Sequence, residues 1–537
     1  MPPAPHSPGT PSPNQGLDRE AEHLLAELVH LDTTNLEDPG GGRIEKRNYA
    51  KAAEVLLRRA RDLGLEARVW DAREELKDGS HRFAEPRPNV IVDLNRGQKD
   101  RLLIVSHFDV VPVPDEQLTR WKSPPHELTR REDGRYYGRG AADDLGSGVV
   151  PGLLALRDLA RRDHLRVNVR MIACCDEETG GAGGIEALRE HDAELPSGSP
   201  EAILSGLMTV IPDGSPYVAA GSSGVSFVDV SLPPKSRVTE FLRVTESLTE
   251  FRTVAASWVS ALPSPPEPEG TPPNAHITGR ATLTLTNLRA PATGGAAAQL
   301  TALRSASLAA NQIPAVVKLS FAGKTSALGK LESVLTSQVR LPFQLRIQAS
   351  EGELVAEVVG RSGHGGYPHR AHNPVPESAR LLLEALQAGA LEDGRVESAT
   401  MTLDLRSPPE MEAEQALEIF RNYFRQLENE VAGVKADVPP GRERSGYFIS
   451  PSDPRVESLR RIFSEVSGRT VGIYGEYGGT DASALRRITT PRGDPMPVVV
   501  VGAMDETAHI HDAEESLDPR YFHEVIRLLT TWVERTP

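Results

Sequence analysis

Apolar positions at Ala21, Leu24, Leu25, Leu28 and Val29 recur every three to four residues, which predicts an amphipathic helix from Arg19. A second helical stretch covers 49–63 and is stopped by Gly64. The pattern then shifts to short apolar, β-branched runs at 67–70, 89–93, 102–106 and 167–173, with a helical stretch at 149–161. Runs of this kind belong to strands buried on both faces, so the alternation predicts an α/β sheet covered by helices.

Past Gly224 the chain becomes rich in Thr, Ser, Ala and Pro, with strand patterns at 225–232 and 281–286 and a loop-like 263–273. Paired strands are predicted at 343–349 and 354–359 around Ser350-Glu351-Gly352, followed by a helix at 376–386, a strand at 400–405, a helix at 412–429 and a strand at 434–438. From about Gly441 long helices return, with an apolar strand at 497–501. The expected architecture is a principal α/β domain with a mixed sheet, built from 18–218 and 441–537, and interrupted at 219–440 by an inserted α+β domain of roughly 220 residues. Residues 1–17 read as a disordered leader.

Length agrees with this division, since 537 residues exceed one core of about 100–200 residues. Hydrophobic residues at 39% and charged residues at 25% place the chain among globular proteins. A formal charge of −15 disfavours nucleic acid and anionic membranes as partners. Cys174 and Cys175 are adjacent and supply no disulfide framework, so a reducing, cytoplasmic setting is expected.

Chemistry-bearing residues gather at predicted strand exits. The run at 102–106 leads into His107-Phe108-Asp109, at the strand end where α/β sheets bind ligands. His107 suits a metal and Asp109 suits the other ring nitrogen; a plain polar turn reads the same way. The glycine-rich 137–144 ends in Asp143-Asp144 before a helix, where an acid either caps the helix or bridges two cations. Asp176-Glu177-Glu178 follows the next strand, as a solvated acidic loop or as a ligand beside a general base. Asp213 ends a further strand in an ordinary turn sequence. His364 lies in the glycine-rich 360–368, and His509 and His511 follow the strand at 497–501. Singly each is ambiguous. Together, His, Asp, Glu, Asp and His at strand exits of one framework make a ligand set that suits two zinc ions.

At these residues the sequence resembles the metallopeptidase superfamily of aminoacylase, carboxypeptidase G, acetylornithine and succinyl-diaminopimelate deacylases and carnosine-type dipeptidases. The resemblance spans most of the chain. It rests, in order, on Ser106-His107-Phe108-Asp109-Val110-Val111-Pro112, Trp121 with Pro124-Pro125, Gly138-Arg139-Gly140 before Asp143-Asp144, Asp176-Glu177-Glu178, and Asp213. It implies His107 and Asp213 as terminal ligands, Asp143 as the bridging carboxylate, Glu178 as a further ligand, Glu177 as general base and Asp109 as the group orienting His107. It implies His364 as a lid histidine acting on the scissile carbonyl and oxyanion. Arg406, in Asp404-Leu405-Arg406, is the implied carboxylate-binding arginine, and Gly479 and Thr480 belong to the implied substrate loop.

The family pattern of a histidine followed four residues later by glutamate is met by His511 and Glu515 without a gap. His509 needs one inserted residue, so His511 is the preferred last ligand and His509 the alternative. Leu145 stands where a lysine is usual and Ser223 where an arginine is usual, departures that bear on substrate contacts rather than on the metals. The implied cofactor is two Zn2+, with Co2+ or Mn2+ as substitutes.

The inserted region is about twice the usual lid length, and the segments at 225–232 and 343–359 can each open a similar half. A duplicated lid is therefore expected, as in monomeric bacterial dipeptidases of this plan, with monomer or homodimer both open. The implied function is hydrolysis of a small amide beside a free carboxylate, by a dipeptidase or carboxypeptidase acting on a small molecule or dipeptide. An N-acyl amino acid deacylase of the acetylornithine or succinyl-diaminopimelate type is the alternative, and a non-catalytic binding protein on the same fold is the second.

Overall fold

The computed structural model describes residues 16–36, 45–46, 48–113, 115–143, 145–196, 198–255, 257–258, 260–262, 283–293, 298–305, 310–366, 368, 371–439 and 442–536. For 35–36, 45–46, 116, 283–293 and 364 it describes the backbone alone. Most of the expected leader and the loop at 263–273 lie outside the described residues.

One sheet of nine strands runs in the order Tyr447–Phe448, Val218–Ser222, Val498–Val500, Thr209–Ile211, Arg101–His107, Asn168–Cys174, Pro88–Leu94, Glu66–Asp71, with Ile473–Glu476 joined to Val218–Ser222. Its central strands, from Val498–Val500 to Asn168–Cys174, are parallel. Antiparallel neighbours flank them on both sides, so the sheet is mixed as expected. Strand Arg101–His107 shows why these runs are apolar throughout. Leu102 and Ile104 face a core shared with helices Arg19–Val29, Tyr49–Asp62, Val150–Ala160, Pro454–Ser467 and Pro519–Arg535. Leu103 and Val105 point the other way, into a core shared with helices Ile185–Glu194 and Ala482–Leu485. One charge interrupts the buried strand Asn168–Cys174. Arg170 sits opposite Asp93, donates to it at 2.8 and 3.0 Å, and gives Nη1 to the carbonyls of Ala202 and Ile203. Its charge is thereby matched inside the fold.

A second sheet, of ten strands, is built wholly from residues between 224 and 444. Its order is Gln344–Ser350, Glu353–Val359, Val316–Ala322, Gln299–Ser305, Leu283–Thr293, Ala399–Ser407, Gly224–Leu232, Lys435–Asp437, with Arg395–Val396 and Glu443–Arg444 paired at its side. Leu354, Ala356 and Val358 alternate into a core formed with helices Val238–Ala255, Thr325–Gln338, Pro374–Gln387 and Ala413–Glu430. The two segments suspected of opening equal halves stand toward opposite edges of this single sheet. The sequence pattern had not marked Val238–Ala255 as a helix. Its Val and Thr residues have weak helix propensity, and packing of Phe241, Leu248 and Phe251 into the core overrides that preference.

The chain passes between the sheets at 222–224 and again at 444–447, and these passages lie side by side. Ser222 opposes Tyr447 in the first sheet, and Val225 opposes Arg444 in the second. A Cβ on Gly446 would stand 2.3 Å from the Ser222 carbonyl oxygen and 2.9 Å from the Gly224 nitrogen. The chain passes this close to Ser222 only because residue 446 carries no side chain. Gly446→Ala is expected to destabilise the fold by about 1–3 kcal/mol through this overlap, read as a lower urea midpoint; an unchanged midpoint would show that the crossing yields without cost.

Candidate metal centre

The C-terminal ends of the parallel strands open onto one cleft. It is lined by His107, Asp143, Glu177, Glu178, Asp213, Gly478, Gly479, Thr480 and His511, together with Asn311 from the region of the second sheet. Asp109 organises one side of it. His107 Nδ1 lies 3.2 Å from the Asp109 carbonyl oxygen and 3.4 Å from its Oδ1, while Nε2 lies 3.5 Å from Asp213 Oδ2. Asp109 is fully buried, and its carboxylate accepts the backbone amides of Glu177 at 3.0 Å and Glu178 at 3.1 Å. The preceding Asp176 adopts a left-handed φ of 65°. Its carboxylate accepts from Arg87 Nε at 2.9 Å and from the Tyr49 hydroxyl at 3.2 Å, contacts that hold this disfavoured turn in place.

The other side is built around His511, whose φ of 61° is also left-handed. Its Nε2 lies 2.9 Å from both Asp143 Oδ2 and Glu178 Oε1. Ligand atoms of these three residues fall within 4.8 Å of one another. His509 is exposed, and the grouping includes His511 and not His509. Gln117 and Gln312 both donate to the His511 carbonyl oxygen, at 3.1 and 3.3 Å.

Glu515, fully buried, stands outside the ligand group and instead seats Asp143. Its Oε1 accepts the amides of Ala142 at 3.1 Å and Asp143 at 3.3 Å, and its Oε2 accepts from Arg139 at 2.7 Å. Arg139 also donates to Gln117 Oε1 at 3.0 Å, lies 5.9 Å over the Trp121 ring, and gives its amide to the Pro125 carbonyl. The motif segments containing Trp121, Pro125 and Arg139 thus form a scaffold beneath Asp143 and contribute no ligand to the grouping.

Burial works against every charge here. For His511 it disfavours the cation, yet Glu178 and Asp143 prevail and raise its pKa to about 10. Burial raises Asp213 to about 7 in spite of His107, and raises Glu178 in spite of His511. For Asp143 burial is outweighed by His511, His107 and Arg139, which hold its carboxyl below the usual range. Asp143 therefore lies in the field of both histidines. Two imidazoles and three carboxylates, buried and short of positive charge, fit a pair of divalent cations. Asp143, Glu178 and His511 would hold one, and His107 with Asp213 would hold the other.

The remaining expected residues come from the second sheet and the C-terminal region. His364 is paired through strand Gly363–His364 with Gln312–Ile313, directly opposite Gln312; its side chain lies outside the described residues. Two residues before it, Ser362 Oγ donates to Asp512, which Arg120 also grips at 2.7 and 2.8 Å. The loop bearing His364 is thus tied to the loop bearing His511. Arg406 is buried, with Nε and Nη2 donating to Asp404 at 2.6 and 2.8 Å and Nη1 without a hydrogen-bond partner among the described residues. A Cβ on Gly479 would stand 3.9 Å from that Nη1, and Thr480 Oγ1 accepts the Ala482 amide. Leu145, in place of the usual lysine, is packed in the first core, and the Ser223 amide donates to the Glu476 carbonyl.

Sequence reasoning passed over Asn311, Glu476 and Arg444. Asn311 and Glu476 line the cleft, and Arg444 Nη1 donates to Glu177 Oε1 at 3.1 Å. Asn311 and Arg444 are set in irregular chain and a two-residue strand, where no hydrophobic period marks them.

The sequence pattern of peptidase family M20/M25/M40 matches residues 103–535. The chain belongs to this family. Its expected superfamily and fold class are thereby met, and membership places it among metal-dependent hydrolases rather than binding proteins. An uncharacterised metallohydrolase of Methanocaldococcus jannaschii is 27% identical over 226 residues, 41% of this chain and 51% of that protein. The cysteinylglycine-S-conjugate dipeptidase of Corynebacterium striatum is 37% identical over 99 residues, 18% of this chain and 21% of that protein. The chain thus spans about half or less of the length of these curated relatives. Among solved structures, an M20 family metallo-carboxypeptidase from Sulfolobus solfataricus superposes with a TM-score of 0.57 at 14% identity, covering 96% of this chain and 99% of that one. Human carnosine dipeptidase 1 gives 0.56 at 13%, covering 96% and 95%. At these identities the likeness is one of fold. Among the described residues no helix is long and apolar enough to cross a membrane.

Metal and protons compete for this cleft. His511 and Asp213 both have raised pKa values, to about 10 and about 7, so a cation entering the site displaces protons from these groups. The raised His511 value stabilises the metal-free fold below the unfolded pKa, and that contribution disappears as pH climbs through about 10. Zinc uptake is expected to release more protons at pH 6 than at pH 8, because Asp213 is then protonated as well as His511, measured by titration calorimetry in buffers of different ionisation enthalpy. Release that does not change with pH would contradict the ligand set. Asp109→Ala should weaken metal binding about 10- to 100-fold, because His107 loses its orienting partner; competition with a chromogenic chelator measures it.

Proposed function

We propose that the protein hydrolyses a small amide bearing a free carboxylate, acting as a dipeptidase or carboxypeptidase. The observation that carries this reading is Arg406 Nη1, a buried cationic donor without a hydrogen-bond partner among the described residues, beside Gly479 of the cleft that holds the candidate ligands. Asp404 fixes the guanidinium plane and leaves one N–H direction for a substrate carboxylate. Two relatives named for dipeptides, the cysteinylglycine-S-conjugate and carnosine enzymes, support the peptidase form of the reading.

In this reading Glu177, which lines the cleft next to Glu178, takes a proton from the attacking water and delivers it to the leaving amine. Two divalent ions, zinc or its cobalt or manganese substitutes, would supply an activated water and a polarised carbonyl when bound. His364 is assigned to the developing oxyanion. The buried Asn311 Oδ1, without a protein partner, is an acceptor available to a substrate N–H. Residues 219–440 serve as a lid over the principal domain, and the ties from Ser362 and Gln312 close it and exclude water. These ties form within one chain, which supports a site complete in a monomer.

Turnover should be tested on dipeptides and on N-acetyl and N-succinyl amino acids, before and after chelation and metal restoration. Dipeptide cleavage that vanishes with chelator is expected, whereas cleavage confined to N-acyl substrates would transfer the assignment to a deacylase. Glu177→Ala should lower kcat by about 100- to 10,000-fold with bound metal unchanged. Undiminished turnover in that variant would remove Glu177 from the role of base.

A further inference from the structure

Glu177 is held at two points by different parts of the molecule. Its backbone amide is bound by Asp109, just past the end of strand Arg101–His107 of the first sheet. Its carboxylate Oε1 accepts Arg444 Nη1 at 3.1 Å, with the two side chains only 13% and 10% exposed. Arg444 does not belong to the first sheet. It is part of Glu443–Arg444, paired with Gly224–Leu232 in the second, two residues before the close crossing at Gly446.

Arg444 is itself confined. Its Nη2 is buried without a hydrogen-bond partner among the described residues, and both oxygens of the buried Asp481 also lack one there. Both groups border Gly181, where a Cβ would lie 3.1 Å from Arg444 Nη2 and 3.5 Å from Asp481 Oδ1. Glycine at 181 thus leaves the guanidinium room beside the Glu177 turn. Arg444 has Glu177 in direct contact and two more acids, Asp481 and Glu186, within its field, so its charge is matched.

We propose that Arg444 is a positioning residue for the base. It holds the Glu177 carboxylate toward the cleft, and because the crossing strand carries it, it ties that orientation to the placement of the second sheet on the first. The inference rests on Glu177 being the base. A guanidinium suits the task, since its planar fork fixes a carboxylate's rotation as well as its position. When the sheets separate, Arg444 moves with the second one, and Glu177 loses its constraint; the base is then aligned only while the cleft is closed.

The test combines Arg444→Met, Arg444→Lys and Glu177→Asp, alone and as the Met/Asp double variant, in the full-length metal-loaded enzyme. Arg444→Met should lower kcat about 100-fold, the scale of a misplaced reacting group, with KM and bound metal unchanged. Arg444→Lys should recover part of that loss. In the Glu177→Asp background, where the shortened carboxylate no longer reaches the guanidinium, removing Arg444 should cost far less. A wild-type kcat in either Arg444 variant, or equal losses in both backgrounds, would overturn the proposal; Arg444→Lys carries the test if Arg444→Met does not fold. Glu177→Gln separates the two claims, because turnover retained there sinks the assignment of the base, whatever Arg444 does.

Discussion

A buried carboxylate with both oxygens committed leaves little freedom to whatever it holds, and Asp109 holds the ring of His107 and the amides of Glu177 and Glu178 at once. Those three residues come from two neighbouring parallel strands, Arg101–His107 and Asn168–Cys174. Hydrogen bonds between the strands fix where they end, and Asp109 converts that register into a fixed spacing between a histidine and two acids. The same logic recurs across the cleft. Glu515 binds two consecutive amides and a buried arginine, and so sets Asp143 against His511. In each case a non-ligating acid gathers backbone amides so that the ligating groups can remain crowded and short of positive charge.

The first sheet was legible in the sequence because its strands are buried on both faces and therefore read as unbroken apolar runs, as at Arg101–His107 and Asn168–Cys174. The residues at their exits were legible for the same reason, since an acid or histidine directly after such a run stands at a fixed place in the fold. His511 and His509 were harder to separate because both follow one strand within a loop and both take left-handed φ, so only the four-residue spacing to Glu515 favoured His511 in the sequence. The second sheet was only partly visible. Its strands are covered on one face, and its Thr- and Ser-rich segments suit helix and strand about equally. Asn311 and Arg444 reach the cleft through tertiary crossings, so nothing near them in sequence marks their neighbourhood.

The arrangement also explains why two departures from the expected pattern coexist with the buried grouping of Asp143, Glu178 and His511. Leu145 turns into the apolar core rather than the cleft, and Ser223 contributes its backbone to Glu476 at the crossing between sheets. Neither touches Asp109 or Glu515, the two residues that space the ligands. Change at these positions leaves the metal-binding geometry alone.

The paired passages between the sheets have a consequence for how such a molecule diversifies. The ten-stranded sheet leaves and re-enters the principal sheet through neighbouring antiparallel strands, whose facing Cα atoms lie about 5 Å apart. Topologically, everything between them is one long excursion from a hairpin. An excursion with adjoining ends can be exchanged for another of different size without rethreading the sheet that bears the ligands. Modularity of this kind lets the chemistry stay constant while the cover above it, and with it the substrate admitted, is replaced as a unit.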